Sequence, residues 1–132
     1  MKRKSKEDLR LRKNYQYQTV FKYGTSMATR RLVLYMFANQ ENVTRAGFVV
    51  SKKVGNAVKR NRVKRLLKES YRRLAGNIMN GYDLVFVARP TAANIQFSQA
   101  VEEMNRLLKK AGLIPVSHKS AKPAPQEAGE KE

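Results

Sequence analysis

The chain is predicted to fold as an α/β (α+β) two-layer sandwich, in the order α-β-β(-β)-α-β-α, around a small mixed sheet with a βαβ crossover. Three observations predict it. Short runs rich in β-branched and aromatic residues, Arg31 to Ala38, Arg45 to Val50 and Tyr82 to Ala88, are each bounded by polar or turn residues. Longer stretches with apolar residues at helical spacing alternate with them, starting near Asn14, Ala57 and Phe97. At 132 residues and 42% hydrophobic, the chain can bury one modest core and not two.

Residues 1–13 hold seven Lys or Arg and bring only Leu9 and Leu11 to bury after Met1, which predicts a flexible basic arm. From Asn14 to Tyr23, Tyr17, Val20 and Phe21, with Tyr15, fall at helical spacing, and Gly24 is the expected stop. These aromatics serve either as core anchors or as platforms on which unpaired bases stack. Arg31 to Ala38 places Leu32, Leu34, Met36 and Ala38 on one strand face and Val33, Tyr35 and Phe37 on the other. Neither face is polar, so helices should cover one side of the sheet and leave an apolar, aromatic surface on the other. Arg45 to Val50 resumes the strand pattern after about six residues, and a hairpin is the economical pairing. Ser26 to Arg30 forms either a further short strand or the approach to this one.

A helix from Ala57 to Leu74 or Ala75 follows, with Asn56 as N-cap and Gly76-Asn77 as its stop. Val63, Leu66, Leu67, Ser70, Tyr71 and Leu74 share its apolar face. Tyr82 to Ala88 is the most strand-like stretch in the chain. It closes a βαβ unit and should run parallel to an earlier strand; base rates alone make such a crossover right-handed. Phe97 to Leu113 is amphipathic through Val101, Met104, Leu107, Leu108 and Ala111, with Ser98 as candidate N-cap and Gly112 at its end. Residues 14–114 thus form the domain. Pro115 to Glu132, rich in Pro, Ala, Ser, Lys and Glu, reads as a disordered tail, and the solitary histidine, His118, lies in it as a solvated bystander.

Net charge is +18, which favours an anionic partner, and nucleic acid leads. No apolar run approaches the ~18 residues of a membrane span, no signal-peptide core follows the basic start, and the chain reads as cytoplasmic with no membrane partner. With no cysteine and one histidine, disulfides, the usual zinc sites and Cys/His or Ser/His nucleophiles are excluded. Six of the ten carboxylates lie in the tails or a loop, Glu69 is embedded among cations, and Glu102 and Glu103 point to different sides of a helix. No cluster is visible that could hold the paired metals, about 3.5–4 Å apart, of a two-metal nuclease. No catalytic and no metal-binding residue is therefore assigned.

Polyanion binding is the better-supported chemistry. From Lys59 to Arg73 there are eight basic residues, Lys59, Arg60, Arg62, Lys64, Arg65, Lys68, Arg72 and Arg73, against Glu69 alone. Asn61 adds an amide, and the Arg60-Asn61-Arg62 turn with Lys64 and Arg65 spreads over successive sides of the helix, as suits a folded RNA wrapping it. Such binding should be strongly salt-dependent. Cations in a first helical turn oppose the dipole by roughly 0.3–1 kcal/mol each when exposed, a cost that an anionic partner would offset. Lys52-Lys53-Val54-Gly55 lacks the frame of a nucleotide-binding P-loop and reads as a turn supplying two further cations. Charge does not separate RNA from DNA, but a helix flanked by strands does not suit a helix-turn-helix.

Ser51-Lys52-Lys53-Val54-Gly55-Asn56-Ala57-Val58, followed by Arg60-Asn61-Arg62 and Lys64-Arg65, resembles the signature of the protein component of bacterial ribonuclease P. The likeness extends more loosely over residues 10 to 112, through Val20-Phe21-Lys22-Tyr23-Gly24, Leu34-Tyr35 and Ala88-Arg89-Pro90. It implies an accessory subunit of an endoribonuclease that removes the 5′ leader of precursor tRNA, the catalytic RNA holding Mg2+ and hydrolysing the phosphodiester. On this resemblance the protein binds no cofactor itself and needs no protein partner; its partners are the catalytic RNA and precursor tRNA. Lys52, Lys53, Lys59, Arg60, Asn61, Arg62, Lys64, Arg65 and Lys68 would contact RNA. Tyr17, Phe21 and Tyr35 would line a cleft for the single-stranded leader, Tyr17 standing where some members have phenylalanine. The family's crossover is left-handed, against the base rate. The alternative is a structural, ribosomal-type RNA-binding protein without a role in cleavage.

Overall fold

A computed structural model of the chain describes residues 10–114, so the tail and most of the basic arm lie outside the described residues. The elements are α1 (Asn14–Tyr23), β1 (Thr25–Ala28), β2 (Leu32–Ala38), β3 (Arg45–Val49), α2 (Ala57–Leu74), β4 (Tyr82–Ala88) and α3 (Phe97–Lys110). The predicted order holds, with the optional strand present as β1.

The four strands lie in the order β1-β2-β4-β3. β1 and β4 both pair antiparallel with β2, and β3 pairs parallel with β4, with Leu34 opposite Phe86 and Phe48 opposite Phe86 in register. The expected hairpin between β2 and β3 does not form, because β4 is inserted between them. A gap of two strand spacings, roughly 10 Å, is within reach of the 39–44 connection, so loop length does not discriminate a hairpin from this arrangement. Burial does. β4 carries Asp83, Leu84, Val85 and Phe86 buried in succession, on both faces, which requires a central position with a neighbour on each side. The true hairpin is β1–β2.

The larger core packs α2 and α3 on one face of the sheet, through Leu32, Leu34, Phe48, Val63, Leu67, Leu84, Phe86, Met104, Leu107 and Leu108. On the other face α1 lies across β2 and β4 and buries Val20 against Val85 and Leu11. The expected aromatic surface is therefore partly roofed by α1. Tyr17, Tyr35, Phe37, Val49 and Val87 remain half-buried beside it. Tyr15, placed by periodicity with the apolar positions, is 65% exposed.

Residues 10–13, assigned to the arm on composition, join the domain. Arg10 forms a parallel bridge with Ala46, the Leu11 amide donates to the Ala46 carbonyl at 3.0 Å, and Leu11 is buried. This short strap continues the sheet beyond β3 and covers part of an otherwise open edge. Two charged pairs tie connections to the scaffold. Glu103 accepts from the Arg31 guanidinium at 2.5 Å and from the Thr29 hydroxyl at 2.7 Å, holding the β1–β2 turn on α3. Asp83 accepts from Arg45 Nε at 3.0 Å and Asn39 Nδ2 at 2.8 Å.

Helix ends were predicted unevenly. Asn56 caps α2, its Oδ1 accepting from the Lys59 amide at 3.0 Å. Gly76 takes no left-handed conformation; α2 instead tightens into a 3-10 turn, Ala75–Asn77. α3 starts at Phe97 with Gln96 as its N-cap, two residues before the expected cap; the Gln96 amide donates to Gln99 Oε1 at 2.9 Å, and Ser98 lies inside the helix. Gly112, at φ +78°, ends α3 as expected, with its amide on the Lys109 carbonyl and that of Leu113 on the Leu108 carbonyl.

Candidate nucleic-acid interface

α2 buries Val63, Leu67 and Ser70 and half-buries Leu66, Tyr71 and Leu74, so the predicted apolar face is the one that meets the sheet and α3. Ser70, the polar residue on that face, is satisfied by donating its hydroxyl to the Leu66 carbonyl at 2.7 Å. The opposite face is thereby fixed outward. Asn61, Lys64, Arg65 and Arg72 are exposed on it, and Lys68 is half-buried.

The remaining predicted cations anchor the start of the helix as well as facing solvent. Arg60 donates to the Gly55 carbonyl at 3.0 Å, and Arg62 donates to the Ile95 carbonyl at 2.8 Å. Lys59 Nζ lies 3.3 Å from Asn94 Oδ1. These bonds use part of each donor set and fix the side chains, leaving further N–H groups of both arginines for a ligand. Preorganisation of this kind lowers the entropy lost on binding. Lys52 and Lys53 are exposed on the preceding turn, which is closed by the Lys53 amide on Ser51 Oγ at 3.3 Å and anchored by buried Val54. Gly55, at φ +156°, faces the Lys59 side chain, which a Cβ there would strike.

Lys68 stands among like charges. Burial lowers its pKa, and Arg10, Lys64 and Arg72 lower it further. Such a cluster is repulsive in the isolated protein and relieved by an anion. The acids, in contrast, serve the fold: Glu103 is paired with Arg31, Asp83 with Arg45, and Glu102 with Arg106 at 3.2 Å. Among the described residues no three of His, Cys, Asp and Glu gather as a metal site would require.

On the other face of the sheet, the three predicted cleft residues come together unequally. Phe21 and Tyr35 form an edge-to-face pair with ring centroids 4.9 Å apart, and Phe21 is 41% exposed. Tyr17, one turn earlier on α1, lies against Gly47, and its hydroxyl approaches the Leu11 carbonyl at 3.4 Å. Burial raises its pKa, opposed by Arg10, and Tyr17 packs the helix against the sheet. Phe37, Val49 and Val87 lie half-buried on the same face, positions that strand alternation alone could have assigned once β4 was known to be central. Sequence reading also missed Arg10, which only the strap brings to α2.

No helix among the described residues is long and apolar enough to cross a membrane. A sequence profile of the family described as Ribonuclease P matches residues 5–112. The chain is 50% identical over 104 residues to the ribonuclease P protein component of Natranaerobius thermophilus, covering 79% of this chain and 90% of that one. It is 45% identical over 106 residues to that of Clostridium kluyveri, covering 79% of this chain and 95% of the relative. Among solved structures it resembles the Staphylococcus aureus RNase P protein, with a TM-score of 0.74 and 33% identity over 81% of this chain and 98% of that one. The RNase P protein from Thermotoga maritima is similar at a TM-score of 0.71 and 32% identity, covering 76% of this chain and 96% of the other.

Proposed function

The chain belongs to the family of bacterial ribonuclease P protein components, accessory subunits of the ribonuclease P endoribonuclease, and on that premise we propose that it uses two opposite surfaces for two RNAs. The outward face of α2, with the turn before it, binds the catalytic RNA. The aromatic groove beside α1 receives the single-stranded 5′ leader of precursor tRNA.

The observation that carries this reading is the one-sided character of α2. Lys64, Arg65, Lys68 and Arg72 with Asn61 are turned outward against a lone acid, Glu69, while Arg60 and Arg62 are braced by backbone carbonyls. Guanidinium forks suit bidentate phosphate contacts and lysines act as point charges, so a folded polyphosphate surface satisfies this face. Beside Tyr35, Phe21 is 41% exposed, which leaves aromatic surface open to an unpaired base.

Hydrolysis belongs to the RNA in this account, which also holds the magnesium ions. The protein orients leader-bearing substrate and screens phosphate repulsion, so that fewer free ions are needed. Exchange of Arg65 or Lys64 for alanine tests the RNA contact. Each should weaken binding to the catalytic RNA and reduce the slope of log K against log salt by about 1. An unchanged slope in both variants would remove α2 from the interface.

A further inference from the structure

At the outer edge of the sheet, between the strap, β3 and α2, lies a cleft of about 320 Å3, within the size range of small-ligand pockets. Its floor is apolar and its rim is cationic. Phe48 and Tyr71 form the floor, their ring centroids 5.8 Å apart at 69° and both backed by Phe86. Arg10, Lys68 and Arg72 form the rim, and among the described residues no carboxylate lines it.

Among the described residues, none of these three cationic side chains has a hydrogen bond or ion pair to another. The same is true of the Tyr71 hydroxyl, although burial raises its pKa and keeps it a neutral donor. A tyrosine hydroxyl that is largely buried normally finds a partner. Here it lines the cleft, where a ligand can supply one. Burial lowers the pKa of Lys68, and the neighbouring charges of Arg10, Lys64 and Arg72 lower it further. A bare inorganic anion would satisfy the rim and leave the aromatic floor unused; an apolar ligand would do the reverse.

We propose that this cleft is a nucleotide subsite, with the phosphate between Arg10, Lys68 and Arg72 and the base or sugar against Phe48 and Tyr71. The ligand is either an unpaired nucleotide of an RNA bound along α2 or a free nucleoside monophosphate. The intramolecular rivals are acids outside the described residues: Glu127, Glu130 and Glu132 in the tail, and Glu7 and Asp8 just before Arg10. The proposal rests on α2 facing RNA, but its deciding titration is made on the protein alone, without catalytic RNA, so the two can fail separately.

The experiment titrates the full chain at low salt with adenosine and uridine 5′-monophosphates, following NMR signals of Ala46, Phe48, Tyr71 and Ala75. Inorganic phosphate and adenosine serve as single-part probes. Saturable shifts at these residues are expected, with nucleotide binding at least ten-fold tighter than either part. Ala75→Leu, which fills the cleft without changing charge, and Lys68→Ala, at a half-buried surface position, should each weaken binding five-fold or more. Repeated on the complex with catalytic RNA, loss of nucleotide binding identifies the RNA as the source, and retention identifies the free nucleotide; both uphold the subsite. Phosphate binding as tightly as nucleotide, or nucleotide binding undiminished in both variants, would overturn it. So would binding that appears only when Glu7, Asp8, Glu127, Glu130 and Glu132 are exchanged for their amides, since the arm or the tail would then be the occupant.

Discussion

Gly47 and Tyr17 occupy one space: a Cβ at Gly47 would overlap the Tyr17 ring. Gly47→Ala should therefore destabilise the fold by about 1–3 kcal/mol, as overpacking does, and lift the start of α1 from the sheet. Chemical denaturation checks this, and a Tyr17→Ala background should absorb most of the loss; full additivity would refute the steric account. Tyr35 is the sharper probe of the leader groove. Tyr35→Ala should weaken binding of leader-bearing substrate more than of mature tRNA, by roughly 1–3 kcal/mol if a base stacks there. Equal loss for both substrates would place Tyr35 outside the leader's path. At this scale, roles with short-range chemistry were legible in sequence. Asn56 was recognisable as a cap because its side chain bonds three residues ahead, and Gly112 because a helix end favours a left-handed glycine. Ser98 was misread because the Gln99 side chain takes up the Gln96 amide and places the cap two residues earlier, a use of glutamine that composition does not advertise. The shared space of Tyr17 and Gly47 was invisible, since thirty positions separate them.

Among the elements, α3 is joined to the β1–β2 turn by Glu103. Burial alone would raise its pKa, but hydrogen bonds from Thr29 and from the side chain and backbone of Arg31, with the Arg31 charge, outweigh that and hold it below the usual carboxylate range. A depressed folded pKa means that this stabilisation is present above the unfolded value and is lost as pH falls through the folded one. Glu103→Gln should cost about 1.5–3 kcal/mol near neutrality and converge with the parent in acid, a difference that denaturation at several pH values would reveal. A constant difference across pH would disprove the linkage. Element positions were legible because each carries its own periodicity: α1, α2 and β4 occupy the stretches expected of them. Pairing was less so. A strand pattern states which residues face the core but not which strand lies alongside, and β4, though last in the chain, takes the centre because it is apolar on both faces. The strap at Arg10–Leu11 escaped notice since its sole buried side chain, Leu11, carries no period among its charged neighbours.

Across the molecule, a net charge of +18 works against compactness, and the acids able to offset it are few, with Glu103 and Asp83 committed to structural pairs. Polyvalent anions should consequently raise the unfolding midpoint of the isolated protein, with sulfate exceeding chloride at equal ionic strength. Equal effects of the two salts would point to screening alone. Charge was the part of function most legible in the sequence: eight bases against one acid from Lys59 to Arg73 pointed to a polyanion, and the signature from Ser51 to Arg65 named the family. The proposed division of labour between faces needed the fold, because only the packing of α1 and α2 on opposite sides of the sheet separates the cationic surface from the aromatic one. The central claim, that the protein positions and the RNA cleaves, is tested most directly by reconstitution. Precursor tRNA cleavage is measured against magnesium concentration with protein alone, catalytic RNA alone, and both together. The account predicts no cleavage by the protein, and a lower magnesium requirement with tighter binding of leader-bearing substrate when it joins the RNA; robust cleavage by the protein alone would contradict it.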